Sequence, residues 1–366
     1  MEIGVIGMGL IGGSVVRTLA AAGHQVLGYD ADPATRATAR TAAAQARPGA
    51  RWQVVGSVRD VLRGSRGPAT GRGARSDRDA DRSAGREEGA GREEGAERSA
   101  GPGGGVVDLV VLAVPLPAVE GALVELSRCG YQGGLTDVTS VKEPVRQLAA
   151  RHGLGGFIGG HPMAGRETSG FAAATEDLFD GCAWVLCLEP AESDLACWLE
   201  LAALLTALGV RVVPSTAVEH DRAAALISHL PHLVAAALAA QAGTNPLALT
   251  LAAGSFRDGT RVAASSPRLT AAMCGGNAPA VGPALAALLA DLTRAAAALE
   301  GAAPIAALTE WLTPGAVART SWPAAAGEPT QLPARVEVLL RLGQVGGWVT
   351  GVAPDRRSIS AARPSR

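Results

Sequence analysis

The stretch from Glu2 to Asp30 constrains the fold more than any other. Glu2–Ile6 (EIGVI) is a short apolar run of strand character. It leads into Gly7-Met8-Gly9-Leu10-Ile11-Gly12, then a helical pattern over Ser14–Ala22, a stop at Gly23, and a second strand, Gln25–Tyr29, that ends at Asp30. Each glycine meets a different demand of a strand–turn–helix unit. Gly7 permits the tight turn, Gly9 lets the backbone approach a pyrophosphate, and Gly12 lets helix and strand pack closely. The helix N-terminus, with Leu10 and Ile11 in its first turn, presents N–H groups to phosphates. Asp30 is placed to accept hydrogen bonds from a ribose and to repel a 2′-phosphate, so the expected cofactor is NAD, with NADP disfavoured.

Later segments extend that unit. Arg51–Val55 reads as a third strand. Val106–Pro115 (VVDLVVLAVP) reads as a buried parallel strand whose end, Val114 and Pro115, faces the cofactor crevice. A helix over Ala118–Ser127 and a strand at Leu135-Thr136-Asp137 come next. Between the third and fourth strands, residues 63–105 collapse into Gly, Arg, Glu, Ala and Ser with a near repeat, GREEGAGREEGAE. That composition has too little apolar surface to bury, so a disordered insertion is expected. Trp184–Leu188 and Val210–Val213 read as two further strands that complete the sheet. The fold class is therefore α/β: a Rossmann-type doubly wound parallel sheet over residues 1–214, then an all-α substrate and dimerisation domain over 215–305. Residues 306–366 form a short extension with strand-like pieces at Val336–Leu342 and Gly347–Val352, the outline of a small ligand-sensing module.

Bulk properties narrow the function. A net charge of −1 gives no sign of a nucleic-acid or anionic-membrane partner. The five cysteines are odd in number and lack a C-x-x-C, which fits thiols in a reducing cytoplasm and offers no metal site. No basic-then-apolar leader precedes the first strand, and the apolar runs after residue 200 carry periodic polar residues, so no membrane span is expected. Lys142 is the only lysine among 33 Lys and Arg residues. In so arginine-biased a chain, a persisting lysine suggests a place where a compact ammonium is wanted.

The polar residues that carry chemistry gather at strand ends and in the helical half. Ser140 and Lys142 lie in Asp137-Val138-Thr139-Ser140-Val141-Lys142, at the carboxyl end of a strand, where open α/β sheets bind ligands; Lys142 opens a helix over Glu143–Arg151. His161 sits in Gly159–Gly170 (GGHPMAGRETSG), directly after an apolar run. A positioned imidazole there can take a proton from a hydroxyl while hydride leaves the attached carbon. In AVEHDRAAALISHLPHLVAAALAAQ, Ser228 and His232 are four apart on one helix face, and Pro231 predicts a kink because it cannot donate to the carbonyl of Ile227. His229 points elsewhere and reads as structural. In Gly254–Arg261, Arg257 and Arg261 share a face if helical, and Arg261 can grip a carboxylate bidentately.

Taken together, GVIGMGLIGGS, DVTSVK, GGHPMAGRETSG, SHLPH and FRDGTRVA, followed by Asn277, resemble the prephenate/arogenate dehydrogenases of tyrosine biosynthesis. The resemblance spans roughly residues 1–300 apart from the insertion. It implies an oxidative decarboxylation of prephenate or arogenate, with hydride passing from C4 of a cyclohexadiene to NAD. By motif position His161 accepts the proton of the C4 hydroxyl, and Ser140 touches that hydroxyl and aligns the nicotinamide. Arg261 binds a substrate carboxylate, while Ser228 and His232 line the pocket. A helical second domain packed against its copy in a homodimer is also implied. The chain departs from the pattern at Arg166, where relatives carry a small hydroxyl residue, and at Thr270, where an aromatic is common. Two other readings are a β-hydroxyacid or imine-type dehydrogenase and a catalytically silent NAD-binding sensor. The absence of a lysine after Lys142 argues against the first, and the set Ser140, His161 and Arg261 against the second.

Overall fold

The computed structural model describes residues 1–64, 107–166, 168–323 and 325–365. The insertion expected over 63–105 lies almost wholly outside the described residues. The first sheet contains β1 (Glu2–Ile6), β2 (Gln25–Tyr29), β3 (Gln53–Val54), β4 (Leu109–Leu112), β5 (Gly134–Asp137) and β6 (Phe157–Ile158), in the order β3-β2-β1-β4-β5-β6. All neighbouring pairs are parallel. A parallel sheet needs cover on both faces, and residues alternate accordingly. Ile3, Val5 and Val111 pack against α1 (Leu10–Ala21) and α2 (Pro33–Gln45). Val110, Leu112 and Leu135 pack on the other face against α3 (Val58–Arg63), α4 (Leu116–Arg128) and α5 (Glu143–Arg151).

The two strands expected to complete this sheet do not join it. A second six-stranded sheet contains β7 (Gly160–Pro162), β8 (Ala183–Cys187), β9 (Arg211–Ser215), β10 (Thr330–Pro333), β11 (Trp348–Val352) and β12 (Ser358–Ala362), in the order β10-β12-β11-β9-β8-β7. Helix α6 (Leu195–Ala207) makes the crossover between the parallel pair β8 and β9, while β7 runs antiparallel to β8. Short apolar strands carry no label for their partner, so periodicity alone could not assign these two to a sheet. The chain changes sheet at Gly160, where a Cβ would stand 2.5 Å from the Asp137 carbonyl oxygen, so only glycine lets β7 pass this close to the end of β5.

The segment after 305 is likewise not a separate module. Residues Pro304–Thr320 continue the helical region, and Val336–Leu342, expected as a strand, is helical within α14 (Val336–Gln344). Leu339 and Leu342, three apart, are both buried. The run VEVLLRL has helical spacing hidden inside an apolar stretch. Gly347–Val352 does yield β11, which bonds to β9 and β12. The core continues across the two sheets, with Trp184, Leu186, Trp198, Val212, Leu339, Val349 and Ile359 buried beside Ile3 and Val5.

The helical half begins with one continuous helix, Ala217–Gly243. It comprises α7 (Ala217–Ala224), a π-helical turn over Ala225–His229, and α8 (Leu230–Gly243). The kink expected from Pro231 is thus resolved as a widened turn just before it, one extra residue taking up the missing donor. Next come α9 (Pro246–Leu251), α10 (Gly254–Thr260), a 3-10 turn at Arg261–Ala264, α11 (Pro267–Gly276), α12 (Ala278–Glu300) and α13 (Pro304–Thr320). By length and composition, Ala217–Gly243 and α12 are long and apolar enough to cross a membrane. The first carries buried His220, Asp221 and His229 packed against α5 and Asn277. The second exposes Leu289, Leu292 and Leu299 along one stripe, and Ile305 and Leu312 on α13 are exposed as well.

Candidate active site

The glycine turn fits a dinucleotide. Gly7 has φ +94°, and a Cβ there would lie 2.4 Å from the Ala113 carbonyl oxygen; one at Gly12 would lie 2.0 Å from the carbonyl of Gly7. Around Gly9 there is open space, and this N-cap residue of α1 supplies no side-chain cap, so the N–H groups of Leu10, Ile11 and Gly12 face an open approach for phosphate. Asp30 Oδ2 accepts from the Met8 N–H at 2.7 Å and Oδ1 from the Asp32 N–H at 2.9 Å. A carboxylate has about four lone-pair sites, so Asp30 retains capacity for ribose hydroxyls.

The persisting lysine is a buried strut. Lys142 has no solvent exposure, and its ammonium donates to Asp137, to Thr139 Oγ1 at 3.1 Å and to the Gly160 carbonyl at 2.6 Å. Asp137 in turn accepts from the Gly160 N–H at 3.0 Å and from the Thr139 backbone and hydroxyl. This network ties the end of β5, the Ser140 loop and the start of β7 into one block. A branched guanidinium is a poor substitute for a point charge with three donors converging on so small a space.

His161, on β7, is largely enclosed and hydrogen-bonded to another histidine. Its Nδ1 lies 2.8 Å from His220 Nε2, with ring centroids 5.0 Å apart in an edge-on arrangement. His220 Nδ1 lies 2.8 Å from Asp221 Oδ1. Asp221 also accepts from the backbone N–H groups of Lys142 (2.8 Å) and Glu143 (2.9 Å), so it caps α5 from α7. Burial, then the neighbouring His220, Lys142 and His229, hold His161 well below the usual histidine range. At neutral pH it is an uncharged base.

The other expected residues are distributed unevenly. Ser140 and His232 border one cavity of about 320 Å³, together with Val114, Pro115, Thr270 and Met273. His232 bonds to the backbone of Val262 and feels the charge of Arg261; burial is the larger effect and lowers its pKa. Ser228 is 4.0 Å from Met273 Sδ, which places it beside the same lining. Arg261 is on the exposed side of this group. Arg257 is not brought in: its guanidinium is exposed and pairs with Asp258 at 3.4 Å. Arg166 points to Asp177 at 3.5 Å. His229 is fully buried, with Nδ1 3.1 Å from the Asn277 amide nitrogen, while its Nε2 has no partner among the described residues.

Sequence reasoning missed His220 and Asp221, although both lie inside a quoted motif. A signal was present: Asp221, Ser228 and His232 share a helical face, and charged residues on a buried face are rarely incidental.

Comparison with known proteins bears on the family of the chain. The family described as prephenate dehydrogenase, nucleotide-binding domain, matches residues 76–214, and the prephenate dehydrogenase dimerization domain matches 216–313. The NAD binding domain of 6-phosphogluconate dehydrogenase matches 2–66. The chain is 38% identical to the prephenate dehydrogenase of Bacillus subtilis (strain 168) over 171 residues, 44% of this chain and 45% of that protein, so the match spans less than half of that curated relative. A crystal structure from Corynebacterium glutamicum ATCC 13032, described as a candidate prephenate dehydrogenase, is 30% identical with a TM-score of 0.70, covering 88% of this chain and 89% of that one. Synechocystis arogenate dehydrogenase is 26% identical with a TM-score of 0.62, covering 88% and 97%. From the glycine turn through the histidine strand to the helical half, the chain belongs to the prephenate dehydrogenase family.

Proposed function

We propose that the protein is an NAD-dependent dehydrogenase that oxidatively decarboxylates prephenate or arogenate, giving 4-hydroxyphenylpyruvate or tyrosine, as a cytoplasmic homodimer in tyrosine biosynthesis. The observation that carries the reading is His161, a neutral imidazole hydrogen-bonded to His220 and set one residue after Gly160, whose carbonyl Lys142 ties to the end of β5 and the Ser140 loop. Bound NAD supplies the hydride acceptor. Gly7, Gly9, Gly12 and the α1 N-terminus would hold its pyrophosphate and Asp30 its ribose, and Val114 and Pro115 line the cavity that Ser140 borders.

The protein's remaining work is orientation and one proton. His161 accepts the C4 hydroxyl proton as hydride departs and a carbonyl develops. The ring carboxylate leaves as CO₂, its bonding electrons enter the ring, and the oxygen takes the proton back as a phenol. Ser140 steadies the hydroxyl. Arg261 grips a carboxylate, with His232 and Ser228 lining the pocket, while Arg257, exposed and paired with Asp258, takes no part. The assay follows NADH absorbance with purified protein, NAD⁺, and prephenate or arogenate separately. Turnover of at least one is expected, and none with either rejects the reading.

A further inference from the structure

We propose that His220 is a positioning residue that fixes the tautomer of His161 and shares its charge when that imidazole receives the hydroxyl proton. The inference rests on the reading of His161 as the base. A carboxylate can only accept, so Asp221 Oδ1, 2.8 Å from His220 Nδ1, requires a proton on that nitrogen. A His220 ring carrying that single proton offers a lone pair at Nε2. His161 Nδ1, 2.8 Å away, must donate to it, which leaves the lone pair of His161 on Nε2. One carboxylate thus sets two tautomers in series and exposes the basic nitrogen of the outer ring.

The direction of the chain is anchored rather than accidental. Asp221 is held by the Lys142 and Glu143 N–H groups at the start of α5, and the carbonyl of Asp221 accepts from Asn277 at 2.8 Å. His220 itself is 4% exposed, which limits the access of water to its ring. When a proton moves from the substrate oxygen to His161 Nε2, no electrons leave the ring pair. The Nδ1–H bond to His220 becomes charge-assisted, and Asp221 offsets the positive charge across the two rings. Burial, any charge on His220 and the Lys142 ammonium all oppose protonation of His161, so the Asp221 carboxylate at the far end of the pair is the counterweight that favours it. The same pairing keeps the imidazole from turning on its Cβ.

The test combines kinetics with ring-nitrogen NMR. His220→Ala is expected to lower kcat about 10²-fold, the range associated with a positioned base, while KM and the NAD⁺ Kd stay within about threefold. His220→Gln keeps an acceptor near the Nε2 position and should recover about tenfold of that loss. A purely structural role would lower both variants alike and depress their melting temperatures. The sequence has six histidines, so the ring ¹⁵N signals can be assigned by single substitutions. Long-range ¹H–¹⁵N spectra of the wild-type protein should show His161 protonated at Nδ1 and bare at Nε2. The opposite tautomer overturns the proposal, as does a His220→Ala kcat within about threefold of wild type or equal losses in both variants. If His220→Ala fails to fold, the wild-type tautomer and the Gln variant decide. If neither substrate turns over, the functional reading falls, while the NMR result still stands for or against the histidine pair.

Discussion

A fully buried ammonium is tolerated only where its charge is met, and Lys142 meets Asp137, Thr139 and the Gly160 carbonyl. Lys142→Met should therefore leave Asp137 as an uncompensated buried charge and destabilise the protein by about 3–5 kcal/mol, read as a fall in denaturation midpoint. A loss under about 1 kcal/mol would mean that the carboxylate finds another partner. His161→Asn should cut kcat by about 10²- to 10⁴-fold and leave NAD⁺ affinity unchanged in a fluorescence titration. The base works when uncharged, so activity is constant at higher pH and lost as pH falls through its lowered value. The acid limb of kcat/KM attributable to His161 should thus lie below 6.5; a limb above 6.5 would contradict the burial-driven shift. Arg261→Ala should raise KM about 10- to 100-fold, the worth of a charged hydrogen bond, with kcat much less affected. An unchanged KM would remove Arg261 from carboxylate binding.

At the level of elements, the glycine turn allows no side chain at Gly7 or Gly12. A Cβ at Gly12 would overlap the Gly7 carbonyl oxygen at 2.0 Å, so Gly12→Val should push α1 off β1 and weaken NAD⁺ binding at least about tenfold. Retained affinity in calorimetry would show that the turn adapts. This unit was fully legible in the sequence because its demands are local: turn, helix start and terminal acid fall within thirty residues. The motifs bearing Ser140, His161, Ser228, His232 and Arg261 stand out for the same reason, each within its own stretch, while the roles assigned to those residues are proposals. What local pattern could not carry was partnership. Trp184–Leu188 reads as a strand in either sheet, and VEVLLRL reads as strand or helix until a surface is supplied for Leu339 and Leu342 to cover. The pairing of His161 with His220 and Asp221 escaped because it joins β7 to α7 across 59 residues of sequence, and neither stretch by itself shows the other. The widened turn before Pro231 likewise follows from which backbone donors and acceptors remain between Ile227 and Pro231, visible in outline as a break but not in form.

For the whole molecule, the apolar stripe of Leu289, Leu292 and Leu299 on α12 has no cover within one chain among the described residues. The chain's match to a dimerization domain over 216–313 supports a partner subunit as the cover. Leu292→Glu should convert the dimer to monomer, or weaken it at least about 100-fold, in light scattering coupled to size exclusion; an unchanged mass would place the interface elsewhere. The second sheet also governs how the molecule is made. Its strands β7, β8 and β9 leave the ribosome before the helical half, whereas β10, β11 and β12 emerge after it. Val212 must wait for Val349, with every helix from α7 to α14 synthesised in between. The sheet that carries His161 at one edge is therefore closed by late arrivals at the other, so the nucleotide-binding lobe is not finished when its own sequence is. Contacts so distant along the chain form slowly, and until they form the Val212 face of β9 stays open to chaperones and to misplaced strands.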